Sequence, residues 1–296
     1  MEPFSPLNGY VCNKNETIQI VFYFVSFQEQ QNRVDGQETK GIPDWSVLLP
    51  EMESISLGSM DGVRLMNRCD TKFVLPLHQL AEVMQRVAGH YFILEIEGRR
   101  IASYETVYYE GPSGRFYLDH VNGKLNRDKV RIRKYVESRI QFLEVKRKTN
   151  TGKTRKFRMS LEEGVSGLTE EGLTFLNGYI SGDVRQLHAV MVNRFRRITL
   201  VNREMTERVT LDVDLGYADL TGNNSFTLPG LVIVEVKQDQ FSSSFIKTIL
   251  RDLRIKRQGI SKYCLGITLL GLSAKTNNYK RKIRIIQKIT HNGITA

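Results

Sequence analysis

Between Lys124 and Arg158 charged and apolar residues alternate one for one over several short runs, and fourteen Lys or Arg face three acids, Asp128, Glu137 and Glu144. A period of two marks a strand, in which successive side chains project to opposite faces. Lys129, Arg131 and Arg133 therefore share one side, while Val130 and Ile132 take the other. The same split sets Glu144, Lys146 and Lys148 against Leu143 and Val145, and Lys156 and Arg158 against Phe157. Arg68, Asp70 and Lys72 share a face upstream; downstream, so do Arg208, Thr210, Asp212 and Asp214, and likewise Glu235 and Lys237. For any one strand, a solvated charged face explains the pattern. Repeated over many strands, it predicts a closed barrel whose apolar side meets helices and whose charged side lines a shared interior. Such an interior needs an anionic guest or counter-charges.

Strands are expected near 91–96, 101–109, 129–137, 140–149, 154–160, 192–202, 207–215 and 230–238. Pro76 to Ala88 opens with proline and puts Leu77, Leu80, Val83, Met84 and Val87 on one helical stripe. Further helical stretches are expected at 169–178 and at 243–257, the latter with Phe245, Ile249 and Leu253 on one face and Lys247, Arg251 and Arg254 on another. The fold class is α+β: an antiparallel β-barrel tunnel with surrounding helices. Residues 1–50, with Asn, Gln and Gly clusters and the lone Trp45, read as an N-terminal extension to one domain over 51–296.

Lys and Arg outnumber Asp and Glu by 43 to 32, a net charge of +11, so the expected partner is a polyanion: nucleic acid, a membrane surface or a phosphorylated small molecule. Cys12, Cys69 and Cys264 form no CxxC, which argues against a disulfide framework or a zinc site and fits a reducing cytoplasm. Cys69 and Cys264 read as small buried hydrophobes. The longest apolar run, Ile18 to Phe27, is far short of the roughly 20 residues that span a bilayer. It also lacks signal-peptide flanks, so a soluble protein with no membrane span is expected. There is no P-loop, HExxH or GxSxG. His78 falls on the polar side of its helix, His90, His188 and His291 lack ligand spacing, and His120 sits in the turn-like stretch from Asp119 to Gly123.

Two Glu-Val-Lys triplets, Glu144-Val145-Lys146 and Glu235-Val236-Lys237, each set a carboxylate and an ammonium on one face. One reading is a hard oxygen ligand for Mg²⁺ or Mn²⁺ with a lysine beside it for phosphate. The other is an ordinary strand ion pair.

Taken in order, Asn67 to Phe73, Lys129 to Tyr135, Phe142 to Lys146, Arg208 to Asp212, Val234 to Lys237 and Ser261 to Tyr263 resemble the VTC (vacuolar transporter chaperone) domain across about 60 to 270. That domain belongs to the triphosphate tunnel metalloenzymes, related to the CYTH phosphatases. The resemblance implies a β-barrel tunnel for triphosphate or polyphosphate, a Mn²⁺ or Mg²⁺ cofactor and, in polymerase members, growth of polyphosphate from ATP. By position it assigns Lys72, Arg131, Arg133, Lys146, Lys156, Arg197, Arg208 and Lys262 to phosphate, and Glu235 to metal with Glu144 as its helper. Arg131, Arg133, Lys146 and Glu235 become the catalytic set. The CYTH ExExK pattern is replaced by Arg68-x-Asp70-x-Lys72, and neither an SPX-like domain nor membrane helices accompany the domain. A stand-alone enzyme is the expectation.

The alternatives are a tripolyphosphate or nucleoside triphosphate phosphohydrolase, a non-catalytic polyphosphate-binding protein and a nucleic-acid module. The last is disfavoured by aromatic placement: Tyr135 is the only aromatic in phase with Lys129, Arg131 and Arg133.

Overall fold

The alternating runs fold as strands because each can bury its apolar side chains on one face and keep its charges on the other. The computed structural model of the chain describes residues 44–62, 68–221, 223–239 and 243–290. Its strands are β1 (Ser54–Ile55), β2 (Arg68–Pro76), β3 (Tyr91–Leu94), β4 (Ala102–Glu110), β5 (Val130–Tyr135), β6 (Ile140–Lys148), β7 (Thr154–Leu161), β8 (His188–Asn202), β9 (Glu207–Asp219), β10 (Ser225–Leu228) and β11 (Leu231–Asp239). The α-helices are α1 (Leu80–Val87), α2 (Arg115–Val121), α3 (Glu170–Asn177), α4 (Phe245–Asp252), α5 (Lys262–Leu269) and α6 (Asn277–Thr290). The apolar run Ile18 to Phe27, Cys12 and His291 lie outside the described residues.

All strands join one sheet, whose main path runs β2-β11-β9-β8-β4-β5-β6-β7. Every pairing along that path is antiparallel. The tunnel architecture with helices around it is as expected, but the barrel is not closed: no ladder pairs β2 with β7, and the sheet stays open there. The sheet nevertheless curls until its two ends share one concave face: the charge of Lys72 on β2 acts on Lys146 on β6, although no backbone ladder joins those strands. The segment preceding α5 ties β2 to the start of β5. Gln258 N–H donates to the Lys72 carbonyl at 2.8 Å, Lys72 Nζ donates to the Ile260 carbonyl at 3.3 Å, and Lys129 Nζ donates to Ser261 Oγ at 2.8 Å.

Three large apolar clusters, beside a small one around Met60 and Val201, hold the described residues together. One packs the convex face of β2, β11, β9 and β8 against α1 and α4, with Leu75, Val234, Leu211 and Ile198 meeting Leu80, Val83, Ile246 and Leu250. Trp45 and Leu49, from the end of the expected N-terminal extension, pack into this cluster. A second covers the convex face of β4 to β6 with α3, where Val130, Ile132, Leu143 and Val145 meet Leu176. The third lies on the concave side, where Val74, Ile233, Leu215, Tyr217 and Phe195 pack against α2, α5 and α6. The interior is thus part apolar, whereas the alternation pattern predicts charge throughout.

The difference comes from a bulge. The β8/β9 register shifts between Arg194 and Arg196, and Asp214 takes a φ of 52°. One extra residue flips the face. Asp214 leaves the face of Asp212 and pairs with Arg196 on the convex side at 2.5 Å, while Leu215 and Tyr217 turn inward beneath α5. The expected common face of Arg208, Thr210, Asp212 and Asp214 therefore ends at Asp212.

Other expectations are corrected locally. His120 belongs to α2, not a turn, because the Glu110 carboxylate accepts from Phe116 N–H at 3.0 Å and Tyr117 N–H at 2.7 Å and so caps that helix from the end of β4. Helix α4 stops at Asp252, and it buries Ile246, Ile249 and Leu250 while Phe245 is exposed against the His90 ring at 4.1 Å. Its phase is set by the Ser244 cap, whose Oγ accepts from Lys247 N–H. Cys264 is buried as expected; Cys69, near the start of an edge strand, is exposed. Among the described residues no helix is long and apolar enough to cross a membrane.

Helix α5 sits so close to the sheet that a Cβ on Gly266 would lie 2.6 Å from both Met191 Sδ and Tyr217 Cδ1. Tyr217 is fully buried and cannot move aside. Gly266→Ala is expected to destabilise the fold by about 1–3 kcal/mol, as overpacked cores do. A chemical denaturation midpoint equal to that of the wild type would refute this packing argument.

Candidate active site

Strand register lines the concave face with polar side chains in rows. Lys72, Glu235, Thr210 and Thr199 lie side by side across β2, β11, β9 and β8. Tyr108, Arg131, Glu144 and Arg158 do so across β4 to β7. Lys262 enters from α5, which starts at that point because Ser261 Oγ accepts from Cys264 N–H. The helix is apolar on nearly every side, with Tyr263, Cys264, Leu265 and Ile267 buried, so it sinks into the concavity and its first residue is carried there with it.

Three carboxylates stand in this cavity, each between two cations. Glu144, whose side chain is 0% exposed, accepts from Arg131 at 2.6 Å and from Lys156 at 3.0 Å. Asp212, 1% exposed, takes a bidentate pair from Arg197 at 2.6 and 2.9 Å and a further bond from Lys262. Glu235, 14% exposed, lies 3.1 Å from Lys237 and 3.7 Å from Lys72. Among the described residues, further cations have no carboxylate within ion-pair distance. Lys129 is held by the Ser261 hydroxyl, Arg133 Nε donates to Thr106 Oγ1 at 3.2 Å, and Lys146 stands between the Lys72 and Glu235 charges.

The titration behaviour follows from this crowding. Burial alone would raise the carboxyl groups, yet the cations hold Glu144 and Asp212 down to about 2 and Glu235 well below its ordinary value. The lysines move down as well. Burial is the largest cause, and neighbouring positive charge adds to it, so that Lys129 and Lys262 fall to about 8 and Lys146 well below its ordinary range. A lysine losing its proton this easily lacks enough negative charge around it.

The structure brings the sequence-predicted residues onto one face. Lys156 and Arg131 meet at Glu144, Lys72 reaches Glu235, Arg197 meets Lys262 at Asp212, and Arg208 lies across from Lys237 in register. Sequence reasoning missed Asp212 as a site residue because its role depends on cross-strand neighbours, and it singled out Lys237 only through its triplet with Glu235. It also missed the aromatics. Arg197 lies 4.8 Å from the Tyr104 ring, Lys262 4.6 Å from Phe195, and Lys129 5.1 Å from Tyr263, on elements remote in sequence from the basic strands. Thr210 Oγ1 is buried beside Glu235 with no hydrogen-bond partner.

Among the described residues no three His, Cys, Asp or Glu side chains gather as a ready metal cage. The donors fit a hard cation that keeps its waters and completes its shell with phosphate. Both oxygens of Glu144 and of Asp212 are engaged by cations, whereas Glu235 has the longest ion pairs and the greatest exposure of the three.

No curated protein matches the chain. Among solved structures it is similar to the PH1819 protein from Pyrococcus horikoshii OT3, with 13% identity and a TM-score of 0.38 over 67% of this chain and 97% of that one. It is also similar to the putative adenylyl cyclase HpAC1 from Hippeastrum, described as having a dominant triphosphatase activity, with 12% identity and a TM-score of 0.42 over 68% and 94% of the two chains. The family description that matches is the VTC domain, over residues 67–271, which spans β2 to the end of α5 and every cavity residue described above. The chain belongs to the VTC-domain family.

Proposed function

We propose that the cavity performs metal-dependent phosphoryl transfer on phosphoanhydride chains, and that its reaction is polyphosphate synthesis from ATP. The observation that carries this reading is the buried surplus of cations: Lys129, Arg133 and Lys146 join six cations already placed on Glu144, Asp212 and Glu235. A chain of phosphates supplies the missing negative charge at a regular spacing. Membership of the VTC-domain family supports the same substrate class.

The carboxylates act as positioning groups. Arg131 and Arg197 each spend Nε and Nη2 on an acid, which fixes the guanidinium plane before phosphate arrives. Lys156 and Lys262 are held at the edges of the same acids. Donors fixed before the substrate arrives stabilise charge on the transferring phosphoryl group without reorganising. A Mn²⁺ or Mg²⁺ ion, for which Glu235 is the proposed ligand and Glu144 the helper, would supply further positive charge against the phosphates. No side chain needs to act as a covalent nucleophile. Attack by the terminal phosphate of a bound chain on the γ-phosphorus of ATP forms a new anhydride, breaks the β–γ anhydride and releases ADP; attack by water on a chain phosphorus breaks an anhydride and shortens the chain.

The nucleic-acid reading is further weakened by the aromatics. The Tyr104, Phe195 and Tyr263 faces are covered by Arg197, Lys262 and Lys129, so they do not serve as platforms for bases.

Purified protein given ATP with Mn²⁺ or Mg²⁺ is expected to produce a ladder of polyphosphate on a gel. Free phosphate without polymer would make it a hydrolase, and no turnover despite tight binding would leave a binding protein. Glu235→Gln is expected to lower kcat by about a hundredfold or more, while tripolyphosphate binding without metal holds or tightens, because a negative charge has left the cavity. Wild-type turnover in that variant would remove Glu235 from the chemistry. Anion binding raises the pKa of Lys129 and Lys262 above their free values of about 8. Protons are then taken up between the free and bound values, so tripolyphosphate affinity is expected to hold below pH 8 and fall above it. The double variant Lys129→Arg/Lys262→Arg should flatten that slope in titration calorimetry, since arginine keeps its charge.

A further inference from the structure

After Asp252 the chain contains no acidic residue, yet from Leu253 to Ala296 it carries ten Lys or Arg. Lys262 faces the cavity; most of the others do not. Helix α6 buries Tyr279 and Ile286, packs Ile283 and Ile289 against the same cluster, and leaves Lys280, Arg281, Arg284 and Lys288 exposed. Lys256 and Arg257, on the segment leading to α5, are exposed as well. None of these six has a carboxylate partner among the described residues.

Two features set this face apart from an ordinary solvated one. Lys280, Arg284 and Lys288 follow one another at i, i+4, a like-charge ladder that destabilises a helix. Lys280, Arg281 and Lys282 fall near the helix start, where the macrodipole disfavours cations. The helix that carries this face adjoins the cavity through its other side. Gln258, Ile260, Lys282 and Ile286 line a small pocket with Val74 of β2, and Gln258 and Ile260 bond the backbone and the side chain of Lys72. Lys282 lies 4.4 Å from the Tyr279 ring, and its charge reaches His120 together with those of Lys129 and Lys72.

The geometry points to an exterior extension of the site: α6 and the 256–257 segment hold the part of a phosphoanhydride chain that is longer than the cavity. This inference rests on the phosphoanhydride reading of the cavity. A membrane surface fits less well, because the apolar stripe of α6 is spent on the core and leaves nothing to enter a bilayer.

The test uses the full chain and measures the Kd of tripolyphosphate and of long-chain polyphosphate over a salt series, for wild type and for Lys280→Glu/Arg281→Glu/Arg284→Glu. Wild type is expected to prefer the long chain on the order of tenfold to a hundredfold per molecule, as a second linked contact provides. Its salt dependence should also be steeper for the long chain. In the triple variant the two affinities should draw to within about threefold, the linked contact being lost, and the tripolyphosphate Kd reports whether the cavity is still folded. A preference that survives the charge reversal, or that wild type never shows, overturns the inference. So does wild type that sediments with phosphatidylserine vesicles while showing no chain-length preference. Tripolyphosphate affinity indifferent to Arg131→Ala, in a variant still folded by circular dichroism, would instead sink the cavity reading itself.

Discussion

The interior of this sheet is governed by the cost of placing cations where water cannot reach them. An isolated buried charge is prohibitive, and a buried pair is worthwhile only if its geometry is good. The chain meets that condition by giving its acids more than one partner each. Asp212 is the most consequential, because its partners come from β8 and from α5, so the same three side chains that settle the charge also fix the helix against the sheet. The close approach at Gly266 and the cap at Ser261 act in the same direction. Packing and electrostatics therefore locate Lys262 jointly.

This arrangement trades stability for readiness. Lysines depressed to about 8 are in an environment that disfavours their charged form, and an acid held at about 2 shows how strongly positive its surroundings are. An anion entering such a place meets donors already oriented and already stripped of water, where each contact counts for more than at a surface.

Much of this was legible in the sequence. Strand positions and the inward direction of Arg131, Arg133, Glu144, Lys146 and Glu235 follow from a period of two, which survives any uncertainty about strand ends. What stayed hidden depends on long-range contacts. Helix α2 is capped by Glu110 from a strand, so no local Ser or Asp announces it. Helix α5 is buried on nearly all sides and shows no stripe, and in α4 the choice between Phe245 and Ile246 rests on a one-residue shift of phase. The bulge at Asp214 breaks the very alternation from which the faces are read. Pairings such as Arg197 with Asp212 need the β8/β9 register, which a linear pattern does not contain.

The unpaired seam between β2 and β7 has a mechanical meaning. In a sheet closed by backbone ladders, the bore is fixed by strand number and stagger, and widening it means breaking rows of hydrogen bonds. Here the 258–261 segment ties β2 to the start of β5, and two of its contacts are made by the ammonium groups of Lys72 and Lys129. Those same two groups stand at the cavity. Because Lys72 and Lys129 hold Ile260 and Ser261 with the same ammonium groups that face the cavity, the seat of α5 and the charge of the cavity rest on shared side chains.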